Sequence, residues 1–316
     1  MRTAMLLLVT AAAALSWACD DSQVRNLTGD FVEFYEASQA LPDAEKLDLF
    51  MSTIYPMDSA VYEHVFEDWR RIGWDPDEEL LKRIDRFGEY RDRYVTLSET
   101  VNDQLESSLR TFRERFPDFD FNFEVHLLHS LGLADGTRRT IGDKEIFVVG
   151  LDVIARFHDW EDNSAFFHHE LTHFYVHQYY QASDEGELSP DGLYNILWGE
   201  GVATYVSHAL NPDATYKELM LEIPSSIPEA ADPILDQLAT RLLEDLYATE
   251  RDVRMQYFAL RSEDPLIPKR AGYYLGYLLV KQIAESHGLD ELIRMKDTEF
   301  VPRLIELLQE MESAGQ

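Results

Sequence analysis

The sequence has one cysteine in 316 residues, Cys19, so no intramolecular disulfide can brace the fold, which must rest on core packing. Positive charge is also scarce: 28 lysines and arginines stand against 59 aspartates and glutamates, a formal net charge of -31. Such a field repels nucleic acid and anionic lipid headgroups, and both are excluded as partners. It suits cationic peptide substrates, or is no more than a solubilising surface. There is no internal repeat and no low-complexity segment. With 45% hydrophobic and 12% aromatic residues the chain belongs with folded globules, and its length suits one large domain or two smaller ones.

The apolar run at the N-terminus, Ala4 to Leu15, is too short to span a bilayer comfortably and has the proportions of a signal-peptide core. Within MRTAMLLLVTAAAALSWAC, Arg2 is the only charge and Cys19 sits where cleavage would fall. The stretch resembles a bacterial lipoprotein signal, in which that cysteine is lipidated and becomes the mature N-terminus. Leu15 lies one place further from the cysteine than the usual pattern has it. The expectation is an exported protein, residues 1–19 being the signal peptide, whose contact with a membrane is a lipid anchor at Cys19.

After a short polar tether (Asp20 to about Asn26) the chain reads as helical up to about Pro117. In SETVNDQLESSLRTFRERFPDF, Ser98 is a candidate N-cap, apolar residues from Val101 to Phe116 recur at helical spacing, and Pro117 ends the pattern. The period then changes to two: Phe121, Phe123, Val125 and Leu127 alternate with Asn122, Glu124, His126 and Leu128, which suits a half-buried strand. A turn-rich stretch, LADGTRRTIGD, separates it from a second strand in KEIFVVGLDVI, and helices return from about Asn163. The fold expected is α+β and predominantly helical: a helical N-terminal region over residues 20–117, then residues 118–316 with a small sheet and further helices.

Histidine is sparse, ten in all, yet four of them fall within ten positions of FFHHELTHFYVHQYY, which opens the second helical region behind the cap candidates Asp162, Asn163 and Ser164. Successive helical residues turn by about 100°, which puts His169 and His173 about 40° apart on one face, where two imidazoles can reach one metal ion. Glu170 lies beside them but not among them, where a general base for water activated at the metal belongs. The register excludes His168, and His177, one turn further on, reads as a supporting or helix-end histidine. The bland alternative is a buried helix whose histidines bond backbone carbonyls. A glycine and a histidine needed for the longer metzincin motif are replaced by Val176 and Tyr179.

A second constellation follows the turn signal Ser189-Pro190-Asp191-Gly192. In LYNILWGEGVATYVSHAL, Leu193, Ile196, Leu197, Glu200 and Thr204 share one helical face while Tyr194, Trp198, Val202 and Val206 cover the other. A bare carboxylate on such a buried helix is costly, so Glu200 needs a partner: a divalent metal already held by two histidines, or an arginine in a buried salt bridge. Two histidines and a glutamate leave a position of a tetrahedral zinc site open, the catalytic rather than the structural pattern. In the third segment, AGYYLGYLLVKQI, Pro268 and Gly288 are candidate helix limits, and Gly272 and Gly276 allow another backbone, that of the active-site helix, to come close. Tyr273, with Tyr277 and Arg270 as lesser candidates, is placed to stabilise an oxyanion, the alternative being a core aromatic with a satisfied hydroxyl. Tyr205 reads as core.

Together HELTH (His169 to His173), WGEGVATY (Trp198 to Tyr205) and AGYYLGYLLVKQI (Ala271 to Ile283) resemble a gluzincin-type zinc metallopeptidase, closest to the bacterial family of predicted zinc-dependent proteases. The resemblance spans roughly Phe121 to Leu308. It implies a zincin-like catalytic domain, Zn2+ held by His169, His173 and Glu200, Glu170 as catalytic base, and a peptide or protein substrate. It also implies that the strand around Ile146 to Gly150 offers its edge to an extended substrate, with the preceding strand deeper in the sheet or beside it. The gap between His173 and Glu200 is longer than in archetypal neutral proteases, and Thr204 stands where thermolysin-like enzymes keep an aspartate that braces a ligand histidine. Readings from other classes are a zinc-stapled binding or assembly lipoprotein and a zinc amidase acting on cell-wall material.

Overall fold

The computed structural model of the protein describes residues 23–181, 191–221, 226–259 and 264–314. The signal segment with Cys19 and most of the loop before the second constellation, including Pro190, lie outside the described residues. The chain is predominantly helical with one small four-stranded sheet. Helices α1 (Thr28–Ser38), α2 (Asp43–Thr53), α3 (Ser59–Arg71), α4 (Pro76–Phe87) and α5 (Arg91–Arg115) precede most of the sheet. Its strands are β1 (Val24–Asn26), β2 (Glu124–Leu128), β3 (Gly136–Ile141) and β4 (Lys144–Gly150). Two helices, α6 (Leu151–Phe157) and α7 (Ser164–Gln181), then lead to α8 (Leu193–Leu210). The short helices α9 (Tyr216–Leu219) and α10 (Ile227–Ala231) connect to α11 (Leu235–Asp245) and α12 (Arg251–Phe258). The chain closes with α13 (Ala271–Ile283), α14 (Leu289–Arg294) and α15 (Asp297–Ala314).

The strand order is β1-β2-β4-β3, with β1, β2 and β4 parallel and β3 antiparallel to β4. Two of these strands correct the sequence reading. The supposed tether contains β1, which is too short for alternation to reveal and is held by pairing with Val125 to Leu127 of β2. The supposed turn region contains β3, in which Ile141 is the one large apolar residue and none is fully buried, so it shows no apolar alternation; its backbone pairs with β4 from Gly136↔Val149 to Ile141↔Lys144. The edge therefore belongs to β3, and the strand around Ile146 is paired on both sides rather than offering an edge.

Strand β2 is buried on both faces instead of one. Val125 and Leu127 join the main core, while Leu128 packs with Val61, Ile146 and Val148 on the opposite face. His126 is buried there too, its Nδ1 2.5 Å from Asp58 Oδ2. One continuous set of buried apolar side chains runs from Phe31 to Leu308 and includes residues from both sides of the sheet in sequence.

Helix limits depart from expectation in two places. Ser98 lies inside α5, which starts at Arg91, and its hydroxyl donates back to Val95 O at 2.7 Å. Gly288 opens α14, its amide donating to Glu291 Oε2 at 3.0 Å, rather than closing α13. At the start of α7, Asp162 Oδ1 accepts from the amide and hydroxyl of Ser164, at 2.8 and 2.6 Å.

Helix α7 lies against the sheet, with Phe174 stacked on Phe123 at 4.0 Å between ring centroids, and α8 packs between α7 and α13. The close backbone approach expected of Gly276 is real, but its partner is α8. A Cβ on Gly276 would come 2.5 Å from the carbonyl oxygen of Leu197, and one on Gly201 2.5 Å from that of Gly276. Gly272 faces the ring of Phe258 instead.

Backbone cannot yield as a side chain tip can, so Gly201→Ala or Gly276→Ala should push α8 and α13 apart. The expected cost is about 1–3 kcal/mol, the usual range for overpacking. Denaturant unfolding measures it, and an unchanged midpoint for both variants would show that the crossing has room for a methyl group.

Candidate metal centre

The two histidines of HELTH and the glutamate of the following helix meet. On α7, one turn of helix brings His173 Nε2 to 3.1 Å from His169 Nε2. From α8, Glu200 Oε2 reaches His169 Nε2 at 3.1 Å and His173 Nε2 at 3.5 Å. All three ligand atoms lie within 4.8 Å of one another. His169 is buried, whereas the side chains of His173 and Glu200 keep 30% and 19% exposure, through the wall of a cleft of about 1310 Å³. The partner Glu200 requires is thus a pair of histidines, and no arginine forms an ion pair with it among the described residues.

The donor set fits zinc, which takes imidazole nitrogen and carboxylate oxygen. The tautomer fits as well: Thr204 Oγ1 lies 3.5 Å from His169 Nδ1. A proton on Nδ1 directed at that hydroxyl leaves the Nε2 lone pair facing Glu200 and His173. Thr204 thus stands within reach of the ring nitrogen that the resemblance would have an aspartate brace.

Electrostatics bind the three groups together. Burial works against charge on His173, but the Glu200 carboxylate outweighs it and the pKa is pushed up to about 9. For His169 burial prevails, against the opposing pull of Glu200, and its pKa is lowered. Burial alone would raise Glu200, yet the His173 charge and the bonds from both imidazoles hold it well below the usual carboxylate range.

Glu170 lines the same cleft outside the ligand set. Burial, opposed by His173 and reinforced by Asp135 and Glu200, pushes its pKa up to about 8. The first residue of the edge strand lies close against it: a Cβ on Gly136 would lie 2.7 Å from Glu170 Cδ and 2.9 Å from Phe166 Cζ, so a larger residue there would displace this carboxylate.

Tyr273 lines the cleft with its ring 6.4 Å from that of His169, and burial raises its pKa, so the hydroxyl stays a donor at neutral pH. Arg270, buried, stacks over the Tyr273 ring at 4.4 Å and donates to the Leu221 carbonyl. Tyr277 is out of the site: it is buried, and its hydroxyl lies 2.7 Å from His208 Nδ1. Tyr205 packs near Tyr277, 6.4 Å between centroids. His168 points away, between Ser108 O at 3.2 Å and Asn211 Nδ2 at 2.8 Å, as its register required. His177 is no ligand; its Nε2 accepts from Arg138 Nη1 at 2.5 Å at the cleft wall.

Asp135 was not visible in the sequence as a site residue. It lines the cleft, accepts from Gly136 N at 2.9 Å, and meets the buried ring of His158 at 3.1 Å. Burial would raise its pKa, but His158 and the Arg270 charge bring it below its ordinary value.

No family model matches the chain, and neither a curated protein nor a solved structure does.

Because the proton on His173 competes with a metal ion up to about pH 9, cation binding must release it. Zinc affinity should therefore rise about tenfold per pH unit between pH 6 and 8. Competition against a chromophoric chelator measures this, and a flat profile would show that no proton on His173 has to be displaced.

Proposed function

We propose that the protein is a zinc-dependent peptide-bond hydrolase of gluzincin type with a zincin-like catalytic domain, related to the bacterial family of predicted zinc-dependent proteases. The observation that carries this reading is the convergence of His169, His173 and Glu200 within 4.8 Å beside Glu170, in one cleft. A zinc enclosed for purely structural purposes takes four protein ligands. Three such groups facing a cleft, with an uncommitted carboxylate beside them, match the catalytic arrangement better.

Zinc bound there would supply Lewis acidity and lower the pKa of water. The remaining chemistry belongs to the chain. Glu170 takes a proton from the attacking water and passes it to the leaving amine nitrogen, so the carboxylate is regenerated when the C–N bond has broken. A pKa near the working pH suits both transfers. The Tyr273 hydroxyl donates to the carbonyl oxygen as that oxygen gains charge. Thr204 keeps His169 in one tautomer, and Gly136 keeps Glu170 at its post.

The cleft is larger than a small-molecule pocket and suits a peptide or protein substrate. The polar edge strand β3 borders it through Gly136 to Arg138. We also place the protein at the cell envelope, exported by residues 1–19 and anchored by lipid on Cys19. The support is the MRTAMLLLVTAAAALSWAC leader; among the described residues no helix is long and apolar enough to cross a membrane.

Glu170→Gln preserves shape and hydrogen bonding but removes the base. The variant should hold zinc as wild type does and hydrolyse denatured casein about 10²–10⁴-fold more slowly. Chelator-sensitive hydrolysis at the wild-type rate would disprove the assigned role.

A further inference from the structure

We propose that the end of the cleft built by Arg83 and Arg156 is a carboxylate-binding subsite, which selects peptides carrying an acidic group within a few residues of the bond to be cut. That substrate preference rests on the peptidase reading; the subsite rests on its own contacts. It runs against the global charge, which at -31 favours cationic partners.

Both residues line the cleft, Arg83 from α4 and Arg156 from α6. Arg156 lies over the rings of Phe157 and Tyr90, at 4.7 and 5.7 Å from the centroids. Among the described residues it has no hydrogen bond and no ion pair. Arg83, stacked over Trp69 at 5.9 Å, has a buried Nε without a partner. Its nearest carboxylate oxygen, on Glu79, is 3.6 Å away, while Lys82 holds that same carboxylate at 2.6 Å. The buried acid of α6 is already saturated. Asp152 accepts from the Ser130 amide at 2.6 Å, the Ser130 hydroxyl at 2.8 Å and the Gly132 amide at 2.7 Å.

Two guanidinium groups thus line one cleft, Arg156 with neither hydrogen bond nor ion pair among the described residues and Arg83 paired only loosely with Glu79 at 3.6 Å, and donors left unmet are costly. The neighbouring rings help to hold each guanidinium, and a guanidinium is a planar fork that can take a carboxylate bidentately. A spur of backbone links this end to the reacting centre. A Cβ on Gly132, where φ is +82°, would sit 3.2 Å from Arg83 Nη1, and one on Gly136 2.7 Å from Glu170 Cδ. The four Cα-to-Cα steps from Gly132 to Gly136 span at most about 14 Å, the reach of about four substrate residues. The N-terminal helices therefore contribute to substrate choice through Arg83.

The carboxylate can come from a peptide C-terminus or from an Asp or Glu side chain. Calorimetry on zinc-loaded Glu170→Gln protein should compare three peptides: Ala-Ala-Phe-Ala-Ala as the free acid, as the amide, and as the amide with Glu in the last position. One or both acidic peptides should bind about tenfold or more tightly than the neutral amide, and whichever does identifies the source. Arg156→Met and Arg83→Met should each reduce the preference, and Arg156→Lys should retain part of it. The proposal is overturned if the neutral amide binds as well as both acidic peptides, if none of the three binds, or if the preference survives in the Arg83→Met/Arg156→Met protein. Should that double variant not fold, persistence of the full preference in Arg83→Met overturns it equally. Wild-type hydrolysis of the same peptides separates the two readings: cleavage without charge preference removes the subsite alone, and acid-selective binding without cleavage removes the peptidase reading alone.

Discussion

Two imidazole nitrogens 3.1 Å apart, with one carboxylate oxygen at 3.1 and 3.5 Å from them, form an arrangement that needs positive charge. Two lone pairs cannot face each other at that distance unless a proton or a metal ion lies between them and the carboxylate. The protein resolves this electrostatically in favour of a charged His173 beside an ionised Glu200. A charge pair withdrawn from water is held only by good geometry, because desolvation offsets most of its attraction. The surrounding helices have to supply that geometry.

They do so through contacts in which side chains are missing. Glu200 is carried by α8, and its neighbour Gly201 lies against the backbone of α13 at Gly276, so helix separation and ligand position are set together. On the opposite side Gly136 brings the start of β3 onto Glu170. Phe174, one position after His173, stacks on Phe123 and so couples α7 to the sheet side of the core. Glu170, both histidines and Glu200 therefore depend on three helix or strand approaches in which a methyl group would crowd its neighbours or a ring fills the gap.

The helical parts of this arrangement were legible because a helix writes its faces into the sequence at a fixed spacing. His169, His173 and Glu170 could be placed relative to one another from the turn angle alone, and Glu200 stood out as a charge on an otherwise apolar helix. Strand β3 was illegible because GTRRTI buries little and pairs through backbone alone. Asp135, Arg83 and Arg156 were missed for a related reason. Arg83 and Asp135 lie far in sequence from the HELTH helix and Arg156 on the helix just before it, and what makes each a cleft residue is the way the chain packs, which no local spacing announces. The opposite error, Gly288 as the end of α13, arose because a glycine can open a helix as well as close one.

The central claim is that one metal ion is held by His169, His173 and Glu200, and zinc K-edge X-ray absorption on the reconstituted, dialysed protein tests it most directly. The expected result is about one zinc per chain in a shell of nitrogen and oxygen, with the scattering pattern of two imidazoles and no sulfur. A protein that retains no zinc after dialysis, or a zinc shell without imidazole, would contradict it.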